Sequence, residues 1–313
     1  MNSSYPAESG QVAAIVVTYK PDLSMLHMLV SALTTQVDYI LIVNNGPATD
    51  EICSSAGILS NVYKVIVLGF NSGIAYAFNE GIKEAKLLKV SFVMLFDQDS
   101  IPSDNMVSKL VKAWKELSCT GLQVAAVGPV FQDLRSGRRS SFVRFAWFGF
   151  ELIACETMPY IECDFLISSG SFYSMQVFDD IGCMDAKLFI DRVDTEWFLR
   201  ARSLGYKAWG VCDAFMRHSI GDETKRIWYR RWRNVYLHRP FRYYYIFRNS
   251  TMLYKRGYAP AIWISGDMVR LVQLIFFLVL FSNDRVQCLR MIFKGIVDGL
   301  NGRGGNLSHD SGS

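Results

Sequence analysis

An α/β fold with a doubly wound, mainly parallel sheet is predicted by three observations. Short β-branched runs alternate with amphipathic stretches from residue 12 to about residue 131, the amphipathic stretches carry apolar residues at three and four spacing, and a polar loop follows each of the first runs. The strand-like runs are residues 12–17, 39–43, 62–68, 92–96 and 124–127. Between them, residues 23–33, 74–88 and 106–117 read as helices that bury one face. The second half is less regular, with a hairpin expected around residues 135–139, a strand near 165–167, a helix over 194–204 and a strand-like run over 206–215. Neither a repeat nor a low-complexity linker interrupts this part, so one domain is expected over 1–221, with a nucleotide-binding half (about 10–131) and an α+β half (132–221). Beyond it the sequence predicts a basic, aromatic and amphipathic helical extension over 222–300 and a disordered tail over 301–313.

The 313 residues are enough for a substantial core, and 50% are hydrophobic, 14% aromatic and 20% charged. That balance is apolar for a soluble protein and far below that of a multispan membrane protein. Seven cysteines, never paired as CxxC, read as reduced core residues, and the polar N-terminus lacks the pattern of a signal peptide; both features predict a cytoplasmic setting. The net charge of +4 is unevenly placed, because no Asp or Glu occurs from Thr224 to Ser265.

Dinucleotide enzymes of the Rossmann type need GxGxxG after the first strand and P-loop enzymes need GxxxxGK[ST]; neither pattern is present. A strand instead runs into Asp97-Gln98-Asp99, at the edge where ligands bind in open α/β sheets. Carboxylates two residues apart on an extended segment point to one side, as a hard divalent cation holding a diphosphate requires. By itself an acid pair in a loop is more often a solvated turn or cap. Here Val17-Thr18-Tyr19, Val43-Asn44-Asn45-Gly46 and Asn71-Ser72-Gly73-Ile74-Ala75 close three strands at the same edge.

This set, with TYxP, VNNG, NxGIAxAxNxGI and LFDQDS in order, resembles family 2 glycosyltransferases of the GT-A fold, and in particular bacterial L-rhamnosyltransferases of O-antigen and related polysaccharide assembly. The resemblance runs from about Val12 to about Gly221. It implies that Thr18, Tyr19, Asn44 and Asn45 lie against base and ribose, and that Asn71 and Gly73 line the nucleotide-sugar pocket. Asp97 and Gln98 would join them, with Asp99, Asp97 and His218 at an Mg²⁺ or Mn²⁺ ion. Ser171, in the turn Ser169-Gly170-Ser171, would line the sugar pocket; a plain strand bend would look the same. The string Phe189-Ile190-Asp191-Arg192-Val193-Asp194-Thr195-Glu196-Trp197, followed by Arg200, resembles the acidic motif that carries the base of an inverting transfer. Its register selects Asp194, with Glu196 beside it and Asp191 as a rival, because family members often have Glu-Asp where this chain has Val193-Asp194. Asp194 and Glu196 would also suit the first turn of a helix for dipole reasons alone. The implied partners are dTDP-L-rhamnose and a polyprenyl-diphosphate-linked saccharide; a UDP-hexose enzyme, or an idle nucleotide-sugar or RNA-binding protein, are the alternatives.

Residues 225–256 interleave Lys and Arg with Trp, Tyr and Phe, which would suit single-stranded nucleic acid or a bilayer surface. The apolar run 271–281 favours the membrane, with no nucleic acid. At about a dozen residues it is too short to span, so a peripheral in-plane anchor over about 225–298 is expected on the inner face of the cytoplasmic membrane, a buried homodimer helix being the alternative.

Overall fold

The computed structural model describes residues 10–47, 62–133, 137, 139–218, 224–229, 231–236, 239–282 and 284–307. The predicted alternation is present: β1 (Val12–Thr18), α1 (Leu23–Thr34), β2 (Tyr39–Asn44), β3 (Lys64–Val67), α2 (Ile74–Leu87), β4 (Phe92–Asp97), β5 (Ser100–Pro102), α3 (Met106–Cys119) and β6 (Val124–Asp133). All of β1 is buried, because helices cover both faces of the sheet it centres. One face packs α1 and α3 through Leu26, Leu29, Val107 and Leu110. The other packs α2 through Phe78 and Ile82. Asp22 caps α1 by accepting from the backbone N–H groups of Ser24 and Met25 at 2.9 and 3.3 Å.

The second half comprises β7 (Phe142–Ala146), β8 (Gly149–Ile153), β9 (Tyr160–Cys163), β10 (Phe172–Ser174), α4 (Met175–Asp180), a 3-10 turn (Ala186–Leu188), α5 (Val193–Ser203) and β11 (Lys207–His218). Strand order in the main sheet is β3-β2-β1-β4-β10-β6-β11-β5, with β9 also on β11. β3, β2, β1 and β4 are parallel, β10 runs antiparallel between β4 and β6, and β11 is parallel to β6. The expected α+β half is therefore the same sheet continued.

Several expectations change. Residues 165–167 form no strand; Phe165 makes one bridge to Val143 on the β7–β8 hairpin, which sequence reading missed. The expected hairpin over 135–139 lies partly outside the described residues, although Gln132 and Arg139 form an antiparallel bridge. Among the described residues, Cys155 and Cys212 are disulfide-bonded, Cys119 and Cys183 are exposed, and Cys163 and Cys288 are buried thiols, so the cysteines are not uniformly reduced core residues. β9 pairs with residues 208–211, and the N–H of Cys212 donates to Pro159 O, which carries the two cysteines together across 57 residues of chain.

The extension begins with a hairpin of β12 (Thr224–Tyr229) and β13 (Arg231–Tyr236), where helix was expected, and continues as α6 (Pro240–Tyr254), α7 (Ala261–Phe281) and α8 (Arg285–Leu300). The aromatic residues Tyr243, Tyr244, Tyr245 and Phe247 of α6 are buried rather than presented to a partner. The apolar run 271–281 is the second half of a 21-residue helix, which by length and composition alone could cross a membrane. Its first half is packed on the domain instead: Trp263 joins the main core, and Gly266 lets the helix meet β8, since a Cβ there would stand 2.6 Å from the Gly149 carbonyl oxygen. Residues 301–307, expected to belong to a disordered tail, fold back so that Gly305 N–H donates to Lys187 O at 2.7 Å and Leu307 N–H to Tyr245 Oη at 2.9 Å.

Candidate active site

Register alone gathers the polar ends of the central strands. Thr18 pairs with Asn44, and Val17 with Asp97, so the three side chains stand at one C-terminal sheet edge. Tyr19 and Gln98 lock two of those ends together, the Tyr19 N–H donating to Gln98 Oε1 at 2.7 Å and Gln98 Nε2 to Tyr19 O at 3.3 Å. Gln98 is thus a brace, while the Tyr19 ring stays exposed beside Gly46. Asn44 and Asn45 are buried. Asn44 Nδ2 donates to Pro47 O, and Asn45 Oδ1 accepts from the Ser72 N–H and hydroxyl at 2.8 and 2.9 Å. Asn71 Oδ1 accepts from Asn45 Nδ2 and from the Gly73 N–H. All three asparagines therefore fix loop shape, and Gly73 stands at the α2 N-terminus without a side-chain cap. Gly73 has φ +88°, and a Cβ on it would lie 2.6 Å from Phe189 O. This close approach ties α2 to the loop before α5, where the Ile74 N–H donates to Phe189 O at 2.7 Å. Gly73 consequently seats Phe189 where a side chain of its own would stand. Thr18 Oγ1 is buried and finds no partner among the described residues, as suits a group reserved for ligand.

Beside this edge, burial first, then the charges of two further carboxylates, Asp99 and Asp194, push the Asp97 carboxyl up to about 7. Asp97 N–H donates to Ser169 Oγ at 3.0 Å, and the Ser169 and Ser100 hydroxyls share a hydrogen bond of 2.7 Å. Asp194 is the second residue of α5 and is gripped by Ser168, whose hydroxyl donates to Oδ1 at 2.7 Å and whose N–H donates to Oδ2 at 3.1 Å. Burial raises the Asp194 pKa, and the Ser168 hydrogen bonds pull it back. The turn singled out for Ser171 thus acts here through Ser168 and Ser169, while the Ser171 hydroxyl donates to Ile167 O. Only the small side chains of this turn signalled it in the sequence.

Two expected site residues are engaged elsewhere. Glu196 Oε1 accepts from Tyr258 Oη at 2.5 Å, Arg200 Nε at 3.0 Å and Arg256 Nη1 at 3.1 Å, and Oε2 accepts from Arg200 Nη2. Buried and occupied on both oxygens by Arg200, Arg256 and Tyr258, Glu196 ties α5 to the chain beyond α6, a structural place rather than the catalytic one expected. Arg200 also donates to the Ile181 and Cys183 carbonyl oxygens, and it is a strut rather than a donor contact. Asp191 is ion-paired to Arg242 at 2.7 Å, and this engagement weakens it as a rival to Asp194. His218 ends β11, opposite Ser100 on β5 in register, and its side chain lies outside the described residues.

Residues 13–182 match the family model for glycosyl transferase family 2. The chain belongs to that family. This family 2 glycosyltransferase is also 29% identical, over 300 residues, to the dTDP-rhamnosyl transferase RfbF of Shigella flexneri, a match spanning 94% of this chain and 97% of that protein. Among solved structures, the fold is similar to S. aureus TarS 1-349 (TM-score 0.57, 14% identity, 92% of this chain and 80% of that one). It is also similar to GalNAc-T7 with UDP, GalNAc and Mn²⁺ (TM-score 0.55, 14% identity), of which it spans 45% while 69% of this chain is covered. These two likenesses establish the fold. No three His, Cys, Asp or Glu side chains among the described residues converge as a complete metal site. The oxygen donors of Asp97 and Asp99 nevertheless fit a hard divalent cation that draws its remaining ligands from a diphosphate, and such a charge would relieve the crowding that raises Asp97.

Proposed function

We propose that this family 2 enzyme is an inverting rhamnosyltransferase that moves L-rhamnose from dTDP-L-rhamnose to a hydroxyl of a lipid-linked saccharide in cell-surface polysaccharide or O-antigen assembly. The observation that carries the donor is the near end-to-end match to RfbF. The base is Asp194, which takes the acceptor hydroxyl proton as the anomeric carbon develops positive character, while Ser168 fixes both carboxylate oxygens. Tyr19 and Thr18 receive the base and ribose at the sheet edge. Asp99 and Asp97 would hold Mg²⁺ or Mn²⁺, which supplies neutralising charge to the departing nucleoside diphosphate.

The acceptor reading agrees with the outer surface of the extension. Val272, Phe276, Val279 and Leu280 of α7 and Val286, Leu289, Phe293 and Val297 of α8 are exposed, and Arg285, Arg290 and Lys294 lie among them. Such a face suits peripheral docking on anionic lipid at the cytoplasmic side. A homodimer through the same helices is the second reading, favoured by apolar area and opposed by the cations.

The deciding assay offers dTDP-L-rhamnose or a panel of UDP-hexoses with lipid-linked saccharides extracted from bacterial membranes, and reads the product by mass spectrometry. Addition of one deoxyhexose is expected, lost in Asp99→Asn and on chelation with EDTA. Consumption of a UDP-hexose with dTDP-L-rhamnose untouched would overturn the donor, and full activity in EDTA would overturn the metal.

A further inference from the structure

The loop that delivers Asp194 is costly to hold. Phe189, Asp191 and Arg192 all have positive φ, at 64°, 61° and 65°, in the left-handed region that L side chains rarely adopt. The C-terminal helices supply the restraint. Asn249 on α6 is wholly buried, and its Nδ2 donates to the carbonyl oxygens of Leu188, Ile190 and Asp191 at 2.9, 2.8 and 2.8 Å. Arg248 donates to Lys187 O and Leu188 O, and Arg242 pairs with Asp191. Arg192 is the N-cap residue of α5, two positions before Asp194, and its carbonyl accepts the first hydrogen bond of the helix from Glu196 N–H at 2.9 Å. Its guanidinium donates to Ser250 Oγ at 3.1 Å and to Asp267 of α7. Asp267 is fully buried, and its other oxygen accepts from Tyr254 Oη at 2.8 Å.

We propose that Arg192 and Asp267 are positioning residues for the transfer reaction: their buried ion pair anchors the start of α5 to α7 and thereby sets where the Asp194 carboxylate stands. The inference rests on the reading of Asp194 as the base. It gives the extension a part in catalysis that is separate from lipid docking, because Asp267 is fully buried on α7 while Val272 and Phe276, further along the same helix, are exposed. A misplaced base slows proton removal and leaves the nucleotide pocket, built from β1, β2 and β4, untouched.

The test uses the full chain and compares Asp267→Asn, which keeps shape and loses charge, with Arg192→Asn, which tolerates positive φ and loses the guanidinium. Turnover is read as dTDP released from dTDP-L-rhamnose in the presence of extracted lipid-linked saccharides, dTDP affinity by calorimetry, and folding by thermal melt. Both variants are expected to lower kcat at least tenfold, with dTDP affinity within twofold of wild type and KM for the donor unchanged. Restoring a shorter cation with Arg192→Lys is expected to recover part of kcat. Wild-type kcat in a folded Asp267→Asn protein overturns the proposal, and so does a parallel fall of kcat, dTDP affinity and melting temperature in both variants, which is the signature of general loosening. Asp194→Asn in the same assay separates the two claims: if it stays active the base assignment fails, and if it is dead while Asp267→Asn is fully active, only the anchoring inference fails.

Discussion

Asp194 and Glu196 lie two residues apart on α5, the first half-buried and the second buried, and their neighbours differ in kind. Asp194 meets two hydroxyl and amide donors and no cation, so burial lifts its pKa and leaves it a usable base. Glu196 meets Arg200, Arg256 and Tyr258. Asp194→Asn is therefore expected to lower kcat by about 10² to 10⁴ with the fold intact, measured as dTDP release. Glu196→Ala should act on stability, lowering it by about 1–3 kcal/mol in urea denaturation because it strips two partly buried guanidinium groups of their shared carboxylate. The base works only when ionised, so the acid limb of kcat/KM should lie above the ordinary carboxylate range. Ser168→Ala removes a donor that favours the ionised form, and should move that limb to higher pH. An unmoved limb would show that Ser168 does not tune the base.

At the scale of elements, the disulfide joins the exit of β8 to β11 and closes a separation of 57 residues. On the loop-entropy account, reduction should destabilise the protein by about 2–4 kcal/mol, checked by denaturation with and without reductant. In the sequence this pairing was invisible, because scattered cysteines carry no information about which strands adjoin. The first half was legible for the opposite reason: β1, β2, β4 and helices α1 to α3 are local patterns of period two or three to four, and the polar ends of the parallel strands fall at one edge by topology alone. The acids of the Asp97-Gln98-Asp99 and Val193-Asp194 strings stood out in the sequence. Ser168 did not, since its value lies in a contact with Asp194 across 26 residues. The aromatic run of α6 misled for a related reason, since tyrosines suit an interface and a core equally, and only the packing of α8 against α6 decides.

For the molecule as a whole, the extension has two faces of different character, one packed and one exposed. Its inner residues hold the loop before Asp194, while Val272 at 66% and Phe293 at 70% exposure stand outward. Val272→Ser with Phe293→Ser should weaken co-sedimentation with phosphatidylglycerol vesicles several-fold and leave dTDP release in detergent unchanged. Equal vesicle binding by the variant would defeat lipid docking through this face. The folded-back segment 301–307 has a practical corollary. Gly305 and Leu307 meet the same loop and the Tyr245 hydroxyl. A purification handle spliced directly after Leu300 would push into that seam, whereas one at the opposite terminus would leave it closed.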